Sequence, residues 1–252
     1  MRPPEPEPPA ADPVAADSAG TPWQRRELSP SGFEADTGAA DPALRAAATG
    51  EADDTTLMRA LEAARLLVPV VAEPTGVDDS GEHAVETGVD MAAVTLVAPD
   101  GRRALPVFSG TDALAAWDPA ARPVPVTPAR AAQAAVSEGC DVLVLDVAGP
   151  ATRVLRPSML WALAQERAWE PAPTDPFVER AVASALAPEP AVTAHALEEG
   201  APAGEGVLGV VLTLAPGLSA EDVRAVATRV GERLATDGEL RARVDGLAFR
   251  IL

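Results

Sequence analysis

Proline constrains this chain more than any other residue. It occurs 26 times in 252 residues, and eight instances fall in the first thirty: Pro3, Pro4, Pro6, Pro8, Pro9, Pro13, Pro22 and Pro30. Proline has no amide hydrogen and a fixed φ, so it breaks a helix from within and enters sheets only at edges or bulges. Residues 1–22 combine it with Ala, Asp and Glu and almost nothing large and apolar. Such a segment cannot bury enough surface to offset the entropy of ordering it. Residues 1–40 are therefore expected to form a disordered leader. Farther along, Pro42, Pro128, Pro157 and Pro176 stand where helices should begin, since the first turn needs no proline amide.

The apolar spacing fills in the elements. Helices are expected over 42–50, 54–64, 112–117, 128–138, 157–168 and 176–186, and from Ser219 onward. In the last of these Val223, Val226, Val230 and Leu234 form a stripe. Strands are expected over 66–71, 91–97, 103–108, 123–126, 141–145, 153–155, 192–197, 207–214 and 247–252. A polar loop should occupy 73–89. The fold class is α+β, with two small mixed α/β domains. Residues 41–170 should form a mixed sheet with helices, 171–175 a linker around Pro171 and Pro173, and 176–252 a ββαβ-like unit.

Missing residue types narrow the chemistry. All 20 basic residues are Arg, Asn is absent, and the net charge is −18. Without Lys there is no Schiff base and no lysine to reach a nucleotide's terminal phosphates. The acidic balance argues against nucleic acid as a partner. No apolar run reaches the roughly 18 residues of a membrane span, so no membrane partner is expected. The start lacks a signal-peptide pattern, and Cys140 is the single cysteine, which favours the cytoplasm. No cofactor, metal or catalytic residue is expected.

Several motifs need weighing. Gly204-Glu205-Gly206-Val207-Leu208-Gly209 matches a dinucleotide fingerprint, but a strand follows it where a helix is required. His83, His195 and Cys140 lie in distant segments and suggest no metal set. Asp146 at a strand's carboxyl end is a turn residue or a weak ligand candidate.

Two groups are candidates for partner binding. Trp23, Leu28 and Phe33 are spaced by five, which fits neither helix nor strand, so they read as anchors of an extended strap over 22–33. The strap docks on the protein itself, docks on a partner, or is a plain tail. Pro106, Phe108, Trp117 and Pro123 should lie close together, as core packing or as a peptide groove.

A resemblance adds context. Pro22-Trp23, Gly32-Phe33, Asp41-Pro42-Ala43-Leu44, Arg65-Leu66-Leu67-Val68-Pro69-Val70, Leu105-Pro106-Val107-Phe108-Ser109, Gly139-Cys140-Asp141 and Leu160-Trp161-Ala162-Leu163-Ala164 resemble the SseB family, in its actinobacterial type. The resemblance implies an SseB N-terminal domain followed by an SseB C-terminal-like domain, and no catalytic residues to carry over. The expected function is a non-enzymatic interaction or regulatory protein, its protein partner unnamed and self-association left open. The alternative is a small-molecule sensor, for amino acids if the family's serine-sensitivity name is a guide, or an enzyme of carboxylate chemistry.

Overall fold

The computed structural model describes residues 32–50, 52–74, 77–78, 85–86 and 89–252. It divides at Thr37 into a short N-terminal unit and a larger unit over Gly38–Leu252. In the former, the Asp36 amide donates to the Phe33 carbonyl at 3.0 Å in a tight turn, and Phe33 is half-buried. Trp23, Leu28 and the leader before residue 32 lie outside the described residues.

The larger unit opens with α1 (Pro42–Thr49) and α2 (Asp54–Ala63), followed by β1 (Leu66–Pro74). Asp41 caps α1 by accepting from the Ala43 and Leu44 amides, with Pro42 in the first turn. Next come β2 (Val77–Asp78), β3 (Val85–Glu86), β4 (Val89–Ala93), β5 (Leu96–Val97) and β6 (Arg103–Val107). The sequence continues through α3 (Thr111–Trp117), β7 (Arg122–Val126), α4 (Pro128–Ser137), β8 (Val142–Leu145), β9 (Arg153–Leu155) and α5 (Pro157–Ala164).

Two sheets organise this part. One has the order β4-β1-β7 and the other β5-β6-β8-β9, with β6 and β8 parallel. Leu105, Val107, Leu143 and Leu145 of the second sheet are fully buried against α2, α4 and α5. Three alanines on α4, Ala131, Ala132 and Ala135, are also fully buried, and their small size lets that helix lie close to the sheet.

After a 3-10 turn at Ala172–Thr174 come α6 (Pro176–Leu186), β10 (Val192–Glu199), β11 (Val207–Leu214), α7 (Ala220–Thr236), α8 (Gly238–Arg243) and β12 (Gly246–Ile251). β10 pairs antiparallel and β12 parallel with β11. Ser219 and Asp222 close a reciprocal capping box on α7. Val226, Val230 and Leu234 of its stripe are buried with Leu208, Val210 and Leu212, forming a second core separate from the first. Ala172, in the segment expected as a linker, belongs to this core.

Four local expectations need correction. The strand expected over 91–97 is two strands: β4 pairs with β1, whereas β5 pairs with β6. The chain crosses between sheets at Val94, and since both halves are extended, alternation gives no sign of the switch. The loop expected over 73–89 contains the β2–β3 pair. The helix expected to reach 168 stops at Ala164: Glu166 takes φ 53°, while the Glu166 and Arg167 amides close back on Leu163 and Ala162. Finally, α8 was not expected; Asp237 caps it.

One carboxylate ties α6 to α7. Glu189 is 5% exposed and accepts from Arg229 at 3.0 and 2.7 Å and from Arg233 at 2.8 Å. The Arg229 hydrogen bond lowers its pKa to about 2, against the opposing effect of burial and with help from Arg233. A depressed carboxyl pKa contributes stability above its unfolded value and loses it as pH falls through the folded one. Melting temperature should therefore drop between pH 4.5 and about 2. In Glu189→Gln the melting-temperature deficit relative to the native chain should shrink across that window. A deficit independent of pH would contradict this role.

Candidate functional site

A cleft of about 370 Å³ lies where the start of α2, the β9–α5 junction, the β10–β11 turn and the residue before β12 converge. Its floor is an arginine–carboxylate network. Arg156 donates to Asp54 at 2.8 Å, to Asp245 at 3.0 Å and to the Gly204 carbonyl at 2.9 Å. Its guanidinium stands 5.8 Å from the centre of the Trp169 ring. Burial works against the charged guanidinium, but the hydrogen bonds to Asp54 and Asp245 outweigh it and raise its pKa.

Asp245 has a second task. Position 156 precedes α5, and its side chain makes no cap there. Asp245 supplies the cap from 87 residues away, accepting from the Ser158 amide and hydroxyl, both at 2.7 Å. A carboxylate at this end also suits the helix dipole. The Trp169 indole completes the chain by donating to Ser158 Oγ at 3.2 Å. Gly206 makes the approach possible: it takes φ 71°, and a Cβ there would run into Asp245 and lie 2.7 Å from Arg156 Nε.

A second arginine ties α8 to α5 and to the start of α6. Arg243 donates to Asp175 and Glu239, both at 2.7 Å, and stacks over Phe177 at 4.7 Å and Trp161 at 5.2 Å. Asp175 also caps α6. Arg167 covers Trp161 at 5.3 Å and reaches Glu239 at 3.2 Å.

These polar groups are committed to one another. Among the described residues, every buried side-chain nitrogen and oxygen has a hydrogen-bond partner, and no group of three or more His, Cys, Asp or Glu converges as a metal site. The network holds the β10–β12 sheet to α2 and α5.

The residues singled out by sequence separate into distinct environments. Phe108 and Trp117 are brought together with ring centres 5.4 Å apart, in a small cluster with Leu67 and Leu114. Phe108 is fully buried, and Pro106 is buried in β6 opposite Val144. Pro123 is exposed on β7, paired with Pro69. Asp146 is 8% exposed with φ 51°, and its carboxylate accepts from the Ser109 amide and hydroxyl, both at 2.8 Å. It ties the ends of two parallel strands together. Cys140 is buried, which raises its thiol pKa, and His195 is exposed on β10; His83 lies outside the described residues. Gly204 and Gly206 form the β10–β11 turn, and no helix starts there.

Sequence reasoning missed a surface groove. A hollow of about 580 Å³ runs between α4 and α5, lined by Val136, Pro157, Leu160, Trp161 and Ala164. Val136 is 59% exposed there. Exposed Glu138, Asp141 and Glu166 stand near its ends in sequence. Its signal was Val136, an apolar residue one turn before Gly139 and off the buried alanine face.

Residues 41–162 match the family model of the SseB protein N-terminal domain. No curated protein and no solved structure matches the chain.

Proposed function

We propose that this SseB family protein, identified as such by residues 41–162, is a cytoplasmic, non-enzymatic interaction protein that docks a partner in the α4–α5 groove. The occupant is an amphipathic helix of another protein, with an apolar stripe flanked by basic residues. The observation carrying this reading is the open, mainly apolar groove itself, in which Val136 is exposed and shares the lining with Leu160 and Trp161. Trp is enriched where partners bind most strongly. A net charge of −18 favours a basic partner. Residues 176–252 are read as the family's second domain, joined through 171–175, and the Asp245 network keeps both parts in register. No described helix is long and apolar enough to cross a membrane.

The test uses affinity capture from the native cell, mass-spectrometric identification, and titration of the captured partner's basic segment. Val136→Arg should weaken binding about tenfold or more, since it sets a like charge against the partner's basic flanks in an apolar groove, whereas Val97→Arg, also highly exposed, should not. Binding should weaken with added salt. Equal binding by Val136→Arg would overturn the reading.

The Arg156 cleft favours a second reading, a small-molecule sensor, because its volume lies in the range of ligand sites. A thermal-shift screen over amino acids and nucleotides separates the two. A rise of several degrees with one metabolite would replace the interaction reading with sensing.

A further inference from the structure

We propose that β12 pairs with β12 of a second copy of this chain, antiparallel about a two-fold axis at Phe249, so that two three-stranded sheets become one. Among the described residues β12 is an end strand of its sheet. The Leu252 amide donates inward to the Leu212 carbonyl at 2.9 Å. Alternation along the strand then turns the amides and carbonyls of Leu247, Phe249 and Ile251 to the outer edge.

The edge of β7 makes a useful contrast. Leu67 exchanges both backbone bonds with Phe108, so Leu66, Val68 and Val70 are the β1 residues that bond to β7. The outward positions of β7 are then Pro123 and Pro125, which have no hydrogen to give. That edge is closed to another strand, but β12 has no such block.

The side chains specify both the occupant and the register. Leu247 and Ile251 are 38% and 37% exposed, placed symmetrically about Phe249. A two-fold axis at Phe249 sets each Leu247 against the partner's Ile251. It also sets Arg250 against the partner's Ala248. Moving the axis to Ala248 or to Arg250 would part Leu247 from the partner's Ile251, and at Arg250 it would also oppose two arginines. Arg250 is already matched by Glu198 at 3.0 and 2.8 Å, so it brings no unpaired charge to the seam. A hollow of about 240 Å³ opens beside this edge, lined by Leu234, Leu240, Val244 and Leu247 together with Arg241 and Asp245, and its apolar side receives the partner's Ile251. The pattern is self-complementary, as a closed two-fold interface requires.

Sedimentation equilibrium of the full chain tests this. A dimer is expected at concentrations up to roughly 100 μM. Leu247→Arg and Ile251→Glu should each raise the dissociation constant on the order of a hundredfold by placing a charge in an apolar seam. The double variant should recover the dimer. The two positions are about 13 Å apart within one strand, so rescue can come only from pairing between copies. Ile251→Pro removes the outward amide together with the seam side chain, leaves the inward Leu252 amide bonded to Leu212, and should also give monomers, with its melting temperature reporting an intact fold. A native chain that stays monomeric, single variants that stay dimeric, or a double variant that stays dissociated would each overturn the proposal.

Discussion

Asp245→Ala should destabilise the protein by about 3–5 kcal/mol, the cost usual for breaking a buried ion pair from one side. The Asp245 side chain is 6% exposed and that of Arg156 is 16% exposed, so neither charge has ready access to water. The substitution strips the cap from α5, leaves the Ser158 amide without its partner, and leaves Arg156 leaning on Asp54 and one carbonyl. Urea unfolding measures the loss. Asp54→Ala should cost less, because the Asp54 side chain is 30% exposed and water can replace it. Loss of cooperativity is a further expected sign, since Asp245 joins the two cores. A change under about 1 kcal/mol would contradict the role given to this carboxylate.

Phe108→Ala should cost about 3–5 kcal/mol, the range for removing a fully buried aromatic ring. Phe108 has no exposed surface, and it packs on Leu67, Leu114 and Trp117. Trp117 is only partly buried, so Trp117→Ala should cost less. Denaturant unfolding of both variants decides between the two uses this cluster could have. Stability loss in the order Phe108 over Trp117 marks it as core. Unchanged stability with loss of a partner would make it a groove.

How much of this was legible in the sequence depended on whether a signal was local. The α4 terminus was readable because Gly139 takes φ 65°, the left-handed position that favours glycine, and the Cys140 amide closes back on Ala135. The α5 terminus uses the same closure with Glu166 in the left-handed position, so sequence carried the helix four residues too far. The Asp41 and Ser219 caps act within three residues and were visible, whereas Asp175, which caps α6 just as locally, lies in the segment expected as a linker. The cap from Asp245 crosses 87 residues, and no local pattern announces it.

The candidate sites follow the same division. Asp146 stood out because it ends a strand, and its place is explained by Ser109, 37 residues away. The Phe108–Trp117 contact was foreseen from chain order, but burial, which decides its use, was not. The α4–α5 groove needs two helices side by side, and only the fold puts Val136 next to Trp161.

The most direct measurement is covalent capture at position 136. A photo-reactive side chain replaces Val136, and an equivalent chain carries it at Val97. Both are illuminated in the native cell, and the cross-linked peptides are identified by mass spectrometry. The proposed docking role predicts a specific adduct at 136 with a basic, helix-forming segment of one protein, and none at 97. An adduct pattern identical at the two positions, or no adduct at 136, would contradict it.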